Sequence, residues 1–192
     1  MEDKIELVKI GKDERSQELR YKFIIAINGE KWKEKYKTRC KVDGIEPLEQ
    51  GMLSDYEYFK QTYPDYQNTE NNTHYFLVVN GEPVTKVVLR KDLLDLVDIT
   101  FSTPPIYSRK GYATKSVELV EKLLFSEESK ENVKGLKLID LFSTGNATSK
   151  IAQKLGFVQV ENDTFIKYNP KYQQIIETIG NEKKEGEIKW NY

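Results

Sequence analysis

The residues with the clearest capacity for chemistry form one octapeptide, Tyr107-Ser108-Arg109-Lys110-Gly111-Tyr112-Ala113-Thr114. Gly111 and Ala113 are small at positions where a bulky side chain would hold an anion away from the backbone. An apolar stripe of Val117, Leu119, Val120, Leu123 and Leu124 predicts a helix from Thr114 to Phe125 directly after them. The first N–H groups of a helix have no intrahelical acceptor, and the helix dipole favours negative charge at that end. Arg109 and Lys110 add countercharge. The chemistry this suits is capture of a phosphate or pyrophosphate by main-chain amides. The plainer alternative is an ordinary strand-turn-helix connection whose basic pair is solvated.

Further groups lie along the chain. Asp95 and Asp98 fall on the strand expected to lead into the octapeptide, and Ser149 on a later helix. His74 is the sole histidine; its side chain suits proton transfer near neutral pH, or is simply a surface residue. Tyr56, Tyr58, Phe59, Tyr63 and Tyr66 form an aromatic-rich stretch that either walls a substrate or packs a helix on a sheet. No Gly-x-x-x-x-Gly-Lys-Ser/Thr run is present, which disfavours a Walker-type nucleotide site.

Composition narrows the class. With 30 basic and 31 acidic residues the formal net charge is -1, which argues against a nucleic-acid partner. No apolar run approaches the ~20 residues that cross a bilayer, so no membrane partner is expected. The polar Met1-Glu2-Asp3-Lys4 start does not resemble a signal peptide, and a cytoplasmic protein is expected. Cys40 is the only cysteine, excluding an intrachain disulfide and a thiolate metal cluster, and no metal is expected. A chain of 192 residues fits one domain able to bury a core.

The elements that must position these groups are read from periodicity and turn chemistry. Lys4 to Ile10 is compatible with a first strand. Arg20–Ile27 followed by Asn28-Gly29 predicts a hairpin whose return arm is Lys31–Arg39, with a helix through Lys31–Lys37 as the alternative. Met52 to Thr62 is expected to be helical, starting near Ser54 or Asp55 and ended by Tyr63-Pro64. A second hairpin joins Tyr75–Val79 to Pro83–Leu89 through Asn80-Gly81. Leu93 to Thr103 is a strand closed by Pro104-Pro105. After the helix from Thr114, a charged loop leads to an apolar strand, Leu136–Phe142. A short helix over Ala147–Leu155 is stopped by Gly156, and strands Phe157–Glu161 and Thr164–Tyr168 follow. Beyond Pro170 there is only a weak helical pattern, Tyr172–Ile179. The order predicts an α/β protein with a mixed sheet.

Two segments together resemble a known superfamily. Pro105–Thr114 resembles the acyl-CoA pyrophosphate loop of the Gcn5-related N-acetyltransferases (GNAT), whose pattern is Gln/Arg-x-x-Gly-x-Gly/Ala. Gly111 and Ala113 fill the last two places; Ser108 stands in the first, with Arg109 beside it. Asn146–Phe157 is similar to the RimJ/RimL-type branch, with its Asn-x-x-Ser-x-x-x-Ala-x-Lys-x-Gly-Phe pattern. Asn146, Ser149, Ala152, Lys154, Gly156 and Phe157 match it. The resemblance covers about the C-terminal half; residues before ~70 carry no match.

The resemblance implies a GNAT-like acyl-CoA N-acyltransferase fold: antiparallel strands followed by a splayed parallel pair. It implies a single domain over residues 1–170, with the acyl-CoA-binding half about 93–168, and a C-terminal extension over 171–192. The implied activity is acetyl transfer from acetyl-CoA to an amine, either a small molecule or a protein N-terminal amine, by a monomer or homodimer. A weak or inactive acyl-CoA-binding sensor is the alternative. Carried over, the backbone of Phe101, Ser102 and Thr103 would hold the pantetheine arm and the acetyl oxygen. Amides of Arg109, Lys110, Gly111, Tyr112, Ala113 and Thr114 would hold the pyrophosphate. Asn146 would bond the pantetheine or cap its helix. The tyrosine that many members place on the last motif helix is replaced by Ala152, and Ser149 is the substitute donor to the departing sulfur. Asp98 is the candidate base.

Overall fold

A computed structural model describes residues 3–63, 68, 69, 71–129, 133–139 and 147–172. Its strands are β1 (Ile5–Lys9), β2 (Asn72–Val79), β3 (Glu82–Lys91), β4 (Leu96–Ser102), β5 (Gly135–Ile139), β6 (Val158–Glu161) and β7 (Thr164–Tyr168). Its helices are α1 (Glu14–Asn28), α2 (Trp32–Asp43), α3 (Asp55–Thr62), α4 (Tyr112–Phe125) and α5 (Ala147–Lys154). The strands form a mixed sheet in the order β1-β2-β3-β4-β5-β7-β6. β4 and β5 run parallel, whereas β1–β2, β2–β3, β5–β7 and β6–β7 are antiparallel. The mixed α/β sheet expected from the sequence is the one observed. Two compact units make up the chain, one from Met1–Arg90 with Thr100–Leu119, the other from Lys91–Ile99 with Val120–Tyr192.

In the first unit, β2 and β3 form the expected hairpin. Asn80 (φ 52°) and Gly81 (φ 84°) both take the positive φ that a tight two-residue turn with the sheet's twist requires. Phe76 and Val78 on one face of β2 pack with Ile10 and with Leu19 and Phe23 of α1. Leu77, Val79 and Val84 form a separate cluster with Tyr107, Tyr112 and Leu119. Asp13 starts α1 by accepting the Ser16 N–H, and a capping box between Ser54 and Glu57 starts α3. Trp32, Tyr36 and Cys40, four apart along α2, are buried with Tyr58 and Phe59 of α3.

The hairpin expected over residues 20–39 is absent; α1 and α2 occupy that stretch. Asn28-Gly29 ends a helix instead of turning a strand: the Gly29 N–H donates to the Ile25 carbonyl at the α1 terminus. The helical alternative for Lys31–Lys37 is the observed one.

In the second unit, β4 pairs with β5 from Leu96 to Ile99 against Gly135 to Leu138, while β4 itself continues to Ser102. The strand expected from Leu93 starts three residues later because Asp92–Asp95 is a turn. The Asp92 carboxylate accepts the N–H groups of Leu94 (2.8 Å) and Leu96 (3.0 Å), and Asp95 takes φ 61°. Buried Val97, Ile99, Leu136, Leu138, Val120, Leu124, Ile151 and Phe165 supply the apolar interior. β5 is described only to Ile139, so the end of the strand expected over Leu136–Phe142 lies outside the described residues, as does the tail from 173.

Candidate active site

The approach to the octapeptide is fixed at its start. Thr85, fully buried on β3, shares a 3.0 Å hydrogen bond between its hydroxyl and that of Thr103, just past the end of β4. Pro104-Pro105 then ends the strand, since proline cannot donate to a ladder. A single helical turn follows over Pro105–Tyr107, with Tyr107 N–H bonded to the Pro104 carbonyl (2.9 Å) and Ser108 N–H to that of Pro105 (3.1 Å). Ser108, which stands where the motif has Gln or Arg, turns its hydroxyl back onto the Pro104 carbonyl at 3.3 Å.

Beyond Ser108 the backbone alternates in hand. Arg109 (φ 62°) and Gly111 (φ 81°) are both left-handed and flank Lys110. For Arg109 that conformation costs on the order of 1–2 kcal/mol, so the neighbouring structure must impose it. Successive amides in such alternating backbone point into one concavity, a shape that binds anions. α4 begins at Tyr112, and Lys115 N–H closes its first turn on the Gly111 carbonyl at 2.9 Å. The amides of Tyr112, Ala113 and Thr114 therefore precede the first intrahelical bond. Ser108 through Gly111 are exposed and Tyr112 through Thr114 half-buried, so among the described residues no side chain covers this backbone fully. Among the described residues, a Cβ added at Gly111 would meet nothing within 4 Å.

Two tyrosines anchor the segment. Tyr107 and Tyr112 meet edge to face with ring centroids 6.5 Å apart, and both pack on Leu77, Val79 and Val84. Burial raises the Tyr107 phenol above its ordinary range, so it stays neutral. Lys110 carries its ammonium 5.7 Å from the Tyr107 ring centroid, a cation–π distance. Phe101, Ser102, Thr103 and Arg109–Thr114 thus all belong to the first unit and are joined by the Pro104–Ser108 turn.

Asp98 and Ser149 belong to the second unit. Asp98 lies directly across from Lys137 in the β4–β5 register, with Lys137 Nζ 2.8 Å from its carboxylate. Lys137 also stands 3.5 Å from Asp92, and its ammonium is pushed above its usual value, first by the hydrogen bond to Asp98. Ser149 is half-buried on α5, one turn before fully buried Ala152. Asn146 lies outside the described residues. Asp95 sits in the turn before β4, not on the strand; Lys91 and then Lys134 hold its carboxyl below the usual range.

His74 lies within β2, its imidazole lowered by burial and then by Lys86 and Arg20, so it is neutral near pH 7. Of the aromatic stretch, Tyr58 and Phe59 are core, and Tyr63 donates its hydroxyl to the Trp32 carbonyl at 3.1 Å. Tyr66 lies outside the described residues. Packing, rather than a substrate wall, accounts for Tyr58 and Phe59.

Sequence reasoning missed Thr85 and Lys137. The Thr85–Thr103 bond spans 18 residues and leaves no local trace. Lys137 did leave one: a lysine inside an apolar strand must find a counterion.

No family model and no curated protein matches the sequence. Solved structures do. One is the spermidine N-acetyltransferase from Vibrio cholerae in complex with CoA and spermine. It is 12% identical with a TM-score of 0.54, over 88% of this chain and 97% of that one. Another is a mutant form of the spermidine/spermine N-acetyltransferase from the same organism, 9% identical with a TM-score of 0.52, over 90% and 99%. The fold is that of the GNAT acyltransferases. In the GNAT fold so identified, β4 and β5 are the parallel pair and the open, left-handed backbone lies between β4 and α4.

Proposed function

We propose that the chain is an acetyl-CoA-dependent N-acetyltransferase that moves the acetyl group to a primary amine by direct transfer in a ternary complex. The observation that carries this reading is the backbone from Arg109 to Thr114, exposed and left-handed at Arg109 and Gly111 and half-buried where α4 begins. Its amides fit a diphosphate, and among the described residues the space at Gly111 leaves room for one. Acetyl-CoA supplies the activated acyl group as co-substrate. The main chain at Phe101, Ser102 and Thr103 orients the pantetheine arm and polarises the acetyl carbonyl by the logic of an oxyanion hole. Arg109 and Lys110 contribute countercharge at the phosphates, and Asn146 bonds the pantetheine.

Ser149 is assigned as hydrogen-bond donor to the departing sulfur. A thiol of pKa about 8.5 is a tolerable leaving group and needs no strong acid. Asp98 is assigned as the carboxylate that receives the amine proton. The acceptor is a small-molecule amine or a protein N-terminal amine, the latter being the acceptor of the RimJ/RimL-type branch that the Asn146–Phe157 motif resembles. A reducing cytoplasm suits a chain whose only cysteine, Cys40, is buried and unpaired.

A second reading, an acyl-CoA-binding sensor with weak or no turnover, is favoured by two observations. Ala152 occupies the position of the usual tyrosine, and Asp98 is already engaged by Lys137. Thermal shift with CoA, followed by free-thiol release from acetyl-CoA over an amine panel, separates the two. Stabilisation with release supports the enzyme; stabilisation without release from any amine supports the sensor. Absence of stabilisation contradicts both.

A further inference from the structure

The hydrogen bond between Thr85 and Thr103 has a direction, and burial decides it. The two hydroxyl oxygens are 3.0 Å apart, and distance alone allows either to donate. A threonine hydroxyl carries one proton and two acceptor lone pairs. Thr85 is fully buried on β3, and among the described residues Thr103 is the only hydrogen-bond partner of its side chain. Were Thr103 the donor, the Thr85 proton would be buried without an acceptor, which costs more than an idle lone pair. Thr85 therefore donates and the Thr103 oxygen accepts. The Thr103 proton is then uncommitted among the described residues. Thr103 is half-buried just past the end of β4, so that proton can meet a bound molecule. The bond it accepts also polarises its hydroxyl and makes it a better donor.

Strand register places the pair. Thr85 lies directly across from Leu77, and residues paired in this way share one face of the sheet. Leu77 belongs to the cluster on which Tyr107 and Tyr112 pack. The two threonines therefore lie on the face that carries the backbone assigned to the diphosphate. Only Pro104–Ser108 separates Thr103 from Arg109, where that backbone begins. The part of an acyl-CoA next to its diphosphate is the pantetheine arm, whose amides and thioester present carbonyl oxygens. A carbonyl oxygen accepts and cannot donate, which matches a single spare O–H.

We propose that the Thr103 hydroxyl, oriented by Thr85, donates to a carbonyl oxygen of the acyl-pantetheine arm. Thr103 is then a side-chain contact of the coenzyme, and Thr85 a positioning residue. The inference rests on the acetyl-CoA reading of the site and adds a side-chain pair to its main-chain contacts. Isothermal titration of the full chain with acetyl-CoA, CoA and ADP tests it, since ADP keeps a diphosphate and lacks the arm. Thr103→Val should weaken CoA binding about 3- to 10-fold and leave ADP binding unchanged. An equal loss for CoA and acetyl-CoA assigns the bond to an amide carbonyl of the arm; a larger loss for acetyl-CoA assigns it to the thioester. Thr85→Val should weaken CoA by a smaller factor, and by nothing further in the Thr103→Val chain, because it acts through Thr103. Thr85→Ser and Thr103→Ser should bind CoA within about twofold of the parent. Valine keeps the shape and serine the hydroxyl, so affinity that follows the hydroxyl excludes packing as the cause. A Thr103→Val chain that binds CoA as the parent does would overturn the inference and leave the acetyl-CoA reading standing. So would an equal loss for ADP, which moves the hydroxyl to the diphosphate, or a Thr85→Val loss that persists in the Thr103→Val chain. A parent that binds neither CoA nor acetyl-CoA would remove that reading, and the inference with it.

Discussion

Substitution of Gly111 separates the two contributions that its backbone and its surroundings make to diphosphate binding. Gly111 has φ 81°, and an added Cβ meets nothing within 4 Å among the described residues, so Gly111→Ala changes backbone preference without a clash there. Leaving the left-handed region gains an L-residue about 1–2 kcal/mol, which would re-aim the amides of the loop. Coenzyme affinity should fall by about 5- to 30-fold. Gly111→Glu adds a carboxylate beside the phosphates. At about 5 Å, a unit charge pair repels by roughly 0.8 kcal/mol in water and roughly 3 kcal/mol at an effective dielectric of 20. Because Gly111 is exposed, the lower part of that range applies, or about 1–2 kcal/mol beyond alanine. Isothermal titration with CoA at two salt concentrations would read both terms. The alanine loss should be independent of salt, and the extra glutamate loss should shrink as salt rises. A Gly111→Glu protein that binds CoA within about threefold of the parent would refute the assignment of this loop.

Two further outcomes follow from other residues. Ser149→Ala should lower turnover about tenfold, the worth of a hydrogen bond to a charged sulfur, while CoA affinity stays unchanged; unaltered turnover would remove Ser149 from the mechanism. Asp13 caps α1, and its carboxyl is held below the usual carboxylate range, first by the Ser16 hydroxyl; Asp55 is likewise lowered, first by Lys33. Groups with depressed folded pKa values stabilise above their unfolded pKa and lose that contribution as pH falls through the folded value. The melting temperature should therefore drop as pH falls below about 4, and Asp13→Ala should lower it at neutral pH by about 2–4 °C and flatten part of the acid slope. An unchanged slope in calorimetric scans would contradict the cap's role.

How much of the fold was readable depended on whether the deciding signal was local. At Asn80-Gly81 the flanking runs are apolar and β-branched on both sides, turn and strands agree, and the hairpin is where the sequence puts it. At Asn28-Gly29 the same dipeptide misleads, because a residue pair tolerant of positive φ ends a helix as readily as it turns a hairpin. The apolar residues around it do not break the tie. Trp32, Tyr36 and Cys40 are four apart, a spacing that shares one face of a helix and equally one face of a strand. What selects the helix is distant: Tyr58 and Phe59 of α3 receive that face, and Tyr21 of α1 packs edge to face on Trp32.

The candidate site divides in the same way. The turn at Gly111 and Ala113 and the helix after it were legible because small turn residues and an amphipathic run are both local signals, and the structure starts α4 only two residues early. The Thr85–Thr103 bond and the Lys137–Asp98 pair were not, since each depends on strand register between segments far apart in sequence.

The central claim is that main-chain amides at the start of α4 hold the diphosphate of a thioester coenzyme. Titration of the nitrogen-15-labelled chain with CoA, followed by amide chemical shifts, tests it most directly. The account predicts saturable shifts that are largest at Gly111, Tyr112, Ala113 and Thr114. Saturable binding that leaves those four amides unmoved, or no saturation at all, would contradict it.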